Sequence, residues 1–207
     1  MLTKSLPNFI GLCFLLFTFL PKKANAQPSG APKLAPYSSS FYLNLGGGGG
    51  TGGSLGVGLN YVSAKNTGFE VSYRFFTPRA KNMPSDYQPG LCIFGNCQPD
   101  DYAHFINTMF KFHKALNAKP VRYELSAGPG LLLYNEAHFT PQNGGWFGSN
   151  YHIYREMKLS AGLSVRGALS VWLLKRFGIE IAVFTNLNPM RSVVGAEVYL
   201  LLGRLRR

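Results

Sequence analysis

The sequence predicts an all-β protein, an eight-stranded antiparallel up-and-down transmembrane β-barrel, from three observations. Apolar and polar residues alternate with a period of two in eight segments, as they do along two-faced strands. The connections between these segments are short and long in turn. Charged residues make up only 14% of the chain, against about 25% in an ordinary soluble domain, and aromatic residues make up a further 14%.

The amino terminus has the pattern of an export signal. Lys4 precedes an apolar run from Phe9 to Leu20, and "ANAQ" then offers a small-residue cleavage site after Ala26. The run is too short for a good membrane-spanning helix. We therefore expect a signal peptide over 1–26, a flexible proline-rich tail over 27–37 and one barrel domain over 38–207.

Each alternating segment predicts one strand of roughly the length that a tilted membrane strand needs. The predicted strands are about 39–46, 53–62, 67–77, 102–113, 120–134, 156–172, 178–186 and 192–203. In chain order, their alternations begin with the apolar residues Phe41, Leu55, Phe69, Ile106, Val121, Met157, Ile179 and Val194. The third strand, "GFEVSYRFF", is the clearest, because its apolar and polar residues alternate without interruption.

The connections fall into two classes by length. The short ones are "SAKNT", "KALNAK" and "LLKRF", and the others are the glycine-rich loop near 46–53, the loops near 78–101 and 135–155, and "LNPMR". Short turns on one rim and long loops on the other are typical of outer-membrane barrels, in which the turns are periplasmic.

The two faces of the strands differ in size and charge, which indicates which face is inside. The interior of an eight-stranded barrel only just accommodates its side chains, so the large apolar residues belong in lipid and the charged and small residues inside. The expected lipid-facing residues include Phe69, Val71, Tyr73, Phe75, Leu125, Leu163, Ile181 and Val198. The expected ion pairs of a packed, non-conducting lumen are Glu70, Arg74, Lys111, Arg122, Glu124, Lys158, Arg166, Glu180 and Glu197. The alternative is a soluble lipocalin-like periplasmic barrel with the faces reversed.

From about 38 to 203 the chain resembles the small eight-stranded outer-membrane barrel proteins, the class of the OmpA transmembrane domain and the OmpX-like proteins. The resemblance is one of strand pattern and includes no signature motif. It implies export to the outer membrane of a Gram-negative bacterium, insertion by the barrel-assembly machinery and a monomeric state. One departure concerns assembly, because such chains often end in an aromatic residue and this one ends "LLLGRLRR".

The charge balance indicates an anionic partner. Without Lys4, Lys22 and Lys23 of the expected leader, 18 basic residues stand against nine acidic ones, a net charge of +9. Because an exported chain rarely meets nucleic acid, we expect outer-membrane lipid or lipopolysaccharide phosphate as the partner. The basic residues of the short-turn rim are Lys65, Lys114, Lys119, Lys175, Arg176, Arg204, Arg206 and Arg207. Contact with lipid headgroups and ordinary solvation explain them about equally well.

Cys92 and Cys97 are the two cysteines that remain after the expected cleavage. Two close cysteines in an exported chain predict a disulfide, here within the long loop near 78–101. The segment offers no other metal ligands nearby, so a metal site and free thiols are the weaker interpretations.

The remaining motifs predict no catalytic residue, cofactor or metal. The pattern Gly48-x-Gly50-x-x-Gly53 precedes more strand, whereas a dinucleotide fingerprint requires a helix. Neither the histidines and glutamates at 136, 138, 152 and 156 nor the aspartates at 86, 100 and 101 match a metal-site spacing. We therefore expect a structural or surface-binding barrel with an unknown surface ligand. A barrel enzyme that modifies lipid A or cleaves peptides is the alternative, although no nucleophile–base spacing supports it.

Overall fold

Eight antiparallel strands form where the sequence alternates, in a computed structural model that describes residues 39–90, 98–115, 121–143, 148–174 and 176–204. The strands are β1 (Ser40–Gly50), β2 (Gly52–Val62), β3 (Thr67–Pro78), β4 (Tyr102–Ala115), β5 (Val121–Pro141), β6 (Tyr151–Leu174), β7 (Phe177–Leu187) and β8 (Val193–Arg204). The predicted signal peptide, the predicted tail, Cys92 and Cys97 all lie outside the described residues.

The sheet closes on itself. Each strand pairs with the next along the chain, and β1 pairs with β8, for example at Leu43 opposite Leu202. Closure gives the backbone groups of the wall a partner on both sides, which is the condition for a sheet to stand in hydrocarbon. The predicted fold class and strand count are confirmed.

The apolar face of the strands points outward. Along β3, Phe69, Val71 and Tyr73 are 41–57% exposed, whereas the alternating residues Glu70 and Arg74 are each 1% exposed. The same inversion runs around the barrel: of the residues that the structure describes, 30 large apolar side chains are exposed, and most charged residues of the wall are buried. A soluble barrel would have the reverse arrangement. Among the described residues, no helix is long and apolar enough to cross a membrane.

The glycine-rich run at 46–53 was expected to be a loop, and this expectation is wrong. β1 continues to Gly50 and β2 begins at Gly52, so only Thr51 separates them. The physical reason lies at the β1–β8 seam, because a Cβ atom on Gly48 would collide with the backbone oxygen of Ala196. Glycine therefore lets the two strands approach closely enough to pair.

The expected loop at 135–155 is also mostly strand. β5 runs to Pro141 and β6 starts at Tyr151, and the two pair with each other along this whole length. The last pair of β5 with β4 is Asn135 with Tyr102, so the hairpin extends beyond the neighbouring strands. Beyond the wall of a membrane barrel, neither face of a ladder has to be apolar. The ladder therefore continues although the hydrophobic alternation stops.

Candidate functional site

A buried ion network fills the middle of the lumen. The Nζ atom of Lys111 lies 2.7 Å from Oε2 of Glu124 and 3.1 Å from Oε2 of Glu70. Arg166 continues the network, because it pairs with Glu70 at 3.4 Å and with Glu180. All five side chains are at most 2% exposed. Buried charges are tolerable only when they are paired in this way.

A second part of the network lies nearer the long-loop end. The Nε atom of Arg74 is 3.0 Å from Oε2 of Glu197, and the hydroxyl of Tyr199 donates a hydrogen bond to the same carboxylate. The guanidinium of Arg166 lies 5.0 Å from the centroid of the Tyr199 ring, which joins the two parts.

An apolar layer lies between the ion network and the long loops. It consists of the buried side chains of Phe76, Ala103, Phe105, Leu132, Tyr134, Phe184 and Val193, with Met190 packed against them. Phe184 contacts both layers, since the guanidinium of Arg74 lies 4.1 Å from its ring centroid. The lumen is therefore occupied by side chains at two successive levels, one charged and one apolar.

The structure places eight of the nine residues expected as lumenal ion pairs in the interior, and Lys158 elsewhere. Lys158 is one-third exposed and lies on β6 beyond its last pair with β7, opposite Tyr134 of β5. Arg122 lies at the short-turn end of the lumen, where its guanidinium stacks 4.0 Å from the Trp172 ring. Phe75 was expected to face lipid, but its side chain is partly buried because Tyr102 and His104 pack against its ring.

Sequence reasoning missed several members of the network. Tyr42 donates to Glu124 at 3.1 Å, Asn60 accepts from Lys111 at 2.5 Å, and Nδ1 of His113 is 3.1 Å from Glu124. The signal was available, since each of these residues occupies the polar parity of its own strand.

The long-loop end is organised by a buried carboxylate, Asp101. Its Oδ1 accepts a hydrogen bond of 2.8 Å from the backbone N–H of Ala137, and its Oδ2 accepts one of 3.0 Å from that of Lys81. The hydroxyl of Tyr134 also donates to Oδ2, and Nη1 of Arg191 lies 3.9 Å away. Asp101, weighed from sequence as a metal ligand, therefore accepts hydrogen bonds from protein donors, and these bonds hold the β3–β4 loop on β5.

A second clamp attaches the same loop to the tip of the β5–β6 hairpin. The amide of Asn150 accepts a hydrogen bond of 2.8 Å from the backbone N–H of Gln88 and donates one of 2.8 Å to the backbone oxygen of Asp86. The hydroxyl of Tyr151 donates to the Asp86 carboxylate at 2.9 Å. The rings of Tyr87, Phe139 and Tyr151 pack beside these bonds, with centroids 5.7–6.2 Å apart. The described part of the loop is thus fixed at two points.

A row of charged side chains runs along one face of the extended hairpin. Lys158 Nζ lies 2.7 Å from Glu136 and 3.2 Å from Glu156, and Nε2 of His138 lies 3.2 Å from Glu156. Asn82 of the β3–β4 loop donates to Glu136 at 2.6 Å. The hydrogen bond from Lys158 lowers the pKa of Glu136, and the hydrogen bonds to Glu136 and Glu156 raise the pKa of Lys158.

This row occupies the residues weighed from sequence as a metal site. Lys158 lies between the two carboxylates, and His152 pairs across the ladder with Thr140 rather than with the row. No group of three or more histidine, cysteine, aspartate or glutamate side chains that could hold a metal ion occurs among the described residues.

One edge of the extended hairpin is open. The last pair of β6 with β7 joins Leu163 and Leu187, so Tyr151–Gly162 pairs on one side with β5 alone. Along its other side, no strand pairs with this segment within the part of the chain that the structure describes. The side chain of Asn188 caps the base of the edge by donating to the backbone oxygen of Ala161 at 3.1 Å. Such an edge is a row of backbone donors and acceptors available for another strand.

Comparisons with known proteins agree with the fold. No family model matches the chain, and no curated protein matches it. The N-terminal β-barrel domain of Pseudomonas aeruginosa OprF is similar in structure, with a TM-score of 0.53 and 10% identity, over 81% of this chain and 98% of that domain.

Two further solved structures are more distant. Neisserial surface protein A has a TM-score of 0.42 and 14% identity over 82% of this chain and 95% of its own. Ail of Yersinia pestis, solved with the heparin analogue sucrose octasulfate, has a TM-score of 0.43 and 12% identity over 82% of this chain and 99% of its own. The likeness to the OprF domain, at 10% identity, shows the fold alone.

Proposed function

We propose that this protein is a non-conducting barrel of a Gram-negative outer membrane that binds an extended segment of another protein along the open edge of β6. The observation that carries the proposal is the edge at Tyr151–Gly162 that no described strand covers, whose outer part, Tyr151–Glu156, lies opposite β5 residues beyond the end of the β4 ladder. Strand addition to an exposed edge is a common mode of peptide recognition, in which the backbone supplies affinity and side chains supply specificity.

The clamped loop supports a binding role. The β3–β4 loop is fixed to β5 by Asp101 and to the hairpin tip by Asn150. These contacts stiffen one side of the hairpin while the opposite edge stays open. A pre-organised edge loses less conformational entropy when a partner pairs with it.

Specificity would come from the side chains beside the edge. Glu156 and Lys158 belong to the charged row, and Tyr154 stacks on His138 with ring centroids 5.2 Å apart. Tyr154 and Met157 are 52% and 70% exposed. The edge thus combines two opposite charges with exposed apolar side chains, which suits a partner strand of mixed apolar and charged residues.

The experiment selects peptides from a displayed library against the barrel in lipid nanodiscs, and then measures hydrogen exchange with and without the selected peptide. The expected result is protection of amides within Tyr151–Gly162. Adjacent residues of an edge strand point their N–H groups to opposite sides, so proline at 153 and proline at 154 form a matched pair. One removes an N–H from the open edge, and the other removes one from the ladder with β5.

The proposal predicts that only one of the two proline variants abolishes peptide binding while the hairpin stays intact. Equal peptide affinity in both variants, or protection confined to other segments, would contradict it. Failure to select any edge-binding peptide would also count against a binding role and favour a purely structural one.

The proposed role is neither transport nor catalysis. Side chains fill the lumen at two levels, so planar bilayers containing the protein should show no stable conductance steps. Stable steps would contradict the non-conducting part of the proposal. At the described part of the long-loop end, Nε2 of His138 lies 3.2 Å from Glu156, and both residues belong to the charged row.

A further inference from the structure

The net charge of the chain is concentrated at one end of the barrel. In the lumen, Glu70, Glu124, Glu180 and Glu197 balance Arg74, Lys111, Arg122 and Arg166. At the long-loop end, the acidic residues Asp86, Asp100, Asp101, Glu136 and Glu156 balance the basic residues Arg79, Lys81, Arg155, Lys158 and Arg191. These two groups contain all nine acidic residues of the sequence. By sequence, the nine surplus basic residues of the expected mature chain are Lys33 of the predicted tail and the eight basic residues expected at the short-turn rim.

Four basic side chains of the short-turn rim are among the described residues, and all four are exposed: Lys65, Lys114, Arg176 and Arg204. None of them forms an ion pair with another described residue. Lys119, Lys175, Arg206 and Arg207, which lie outside the described residues, belong by sequence to the same connections and terminus.

Two of these side chains continue the lipid-facing surface. Lys114 follows Phe112 on the outward parity of β4, and Arg204 follows Leu202 on the outward parity of β8. Phe112 and Leu202 are 44% and 42% exposed. Arg204 also lies directly across the ladder from Phe41, which is 57% exposed. Long basic side chains at the end of an apolar band lay their methylene groups on it and extend the charge to the headgroup level.

We propose that the described part of the short-turn rim, Lys65, Lys114, Arg176 and Arg204, is a binding surface for the phosphate headgroups of anionic phospholipids in the surrounding leaflet. Among the described residues, the rim offers four cations without an ion pair, two of them next to exposed apolar side chains, and no acidic residue to oppose them. The opposite rim, with equal numbers of acidic and basic residues, would not select anionic lipid in this way. This surface is independent of the open edge of β6 and of any partner bound there.

The test measures lipid selection at the barrel surface. The protein is reconstituted in phosphatidylcholine vesicles, and electron paramagnetic resonance compares spin-labelled phosphatidylglycerol with spin-labelled phosphatidylcholine of the same chain length. The expected preference is about fivefold, the factor that one basic residue near an anionic surface supplies. It should fall towards one at 1 M salt, where the screening length is about 3 Å.

Two matched variants locate the preference. The rim variant carries K114Q, R176Q and R204Q, and the control carries R79Q, K81Q and R155Q, which remove the same charge from the long-loop end. Gel mobility before and after heating in SDS first verifies that both are folded. The rim variant should lose most of the preference, and the control should keep it.

Absence of a preference in the wild-type protein would overturn the proposal without reference to any variant. An equal loss in the two variants would also overturn it. If the wild-type protein shows no lipid preference but binds polyglutamate in neutral detergent, the rim would be assigned to an acidic protein instead.

Discussion

The Nζ atom of Lys111 on β4 lies 2.7 Å from Oε2 of Glu124 on β5, and both side chains are fully buried inside the barrel. The same amine is 3.1 Å from Oε2 of Glu70, so one lysine forms ion pairs with two carboxylates. The stability of the barrel should depend on Lys111 more than on any single surface contact. Its loss would leave the buried carboxylates of Glu70 and Glu124 without this cation.

The variant Lys111→Met is expected to destabilise the barrel by about 3–5 kcal/mol, the cost of breaking a buried pair from one side. The measurement is urea-induced unfolding in lipid vesicles. Lys65→Met in the β2–β3 turn is the control and should change stability by less than about 0.5 kcal/mol. Adding Glu124→Gln to Lys111→Met should restore part of the loss. A change under about 1 kcal/mol for Lys111→Met would show that the network is not a structural requirement.

The variant Asp101→Asn should release the β3–β4 loop while the barrel stays folded. It removes the charge that accepts hydrogen bonds from Ala137, Lys81 and Tyr134, and hydrogen bonds to charged groups contribute about 1.5–3 kcal/mol each. Trypsin cleavage after Arg79 or Lys81 should therefore accelerate about tenfold or more.

Asp100→Asn is the matched control for this experiment. Burial and the neighbouring Asp101 charge raise the pKa of Asp100, so removing its charge should not weaken the loop. Equal cleavage rates in the two variants would argue against Asp101 as the anchor.

The stabilisation that the charged row gives to the hairpin should decrease in acid. Because the hydrogen bond from Lys158 lowers the pKa of Glu136 in the folded state, the contact stabilises the hairpin above the unfolded pKa of about 4.3. That stabilisation is lost as the pH falls through the lower, folded pKa.

Lys158→Met should raise the titration midpoint of Glu136 towards its ordinary value, measured by carbon-detected NMR of the side-chain carboxyl. His152→Ala, a change on the same face outside the row, should leave the midpoint unchanged. An unchanged midpoint in Lys158→Met would mean that the pair does not persist in solution.

Closure of the barrel should depend on glycine at alternate positions of β1. A Cβ atom at Gly48 would meet the backbone of Ala196 across the seam, whereas at Gly49 the nearest atom is 3.6 Å away. Gly48→Ala should cost about 1–3 kcal/mol, as overpacking does, and should reduce the heat-modifiable folded fraction in SDS gels. Gly49→Ala should fold like the wild type. If both variants fold equally well, the seam does not require glycine at this position.

The strand count and the outward face could be predicted from sequence because both depend on a local period of two. The segment from Phe69 to Phe75 alternates completely, and lipid on one side with a crowded lumen on the other maintains that pattern. The extended hairpin could not be predicted because beyond the end of the β4 ladder, at Asn135, a ladder can form without hydrophobic alternation.

The pairings inside the lumen could not be predicted for a different reason. Arg166 and Glu70 are 96 positions apart and meet only when the sheet closes with a particular stagger between strands. The parity of each strand indicates that both face inward, but it does not say at which height. Lys158 has the inward parity, but it lies closer to the long loops than the ion network does, and parity does not indicate this height. Asp101, in turn, is buried by a loop whose path the sequence pattern does not describe.

The central claim is that the apolar face of the wall is in lipid, and site-specific fluorescence quenching tests it most directly. Single cysteines would replace Phe69, Val71, Tyr73 or Lys81 in a background with Cys92 and Cys97 changed to serine. Each would carry a small environment-sensitive fluorophore in vesicles. Brominated acyl chains should quench the three β3 positions and aqueous iodide should not, whereas the label at 81 should show the opposite. Quenching by iodide at 71, with no effect of brominated lipid, would contradict the account.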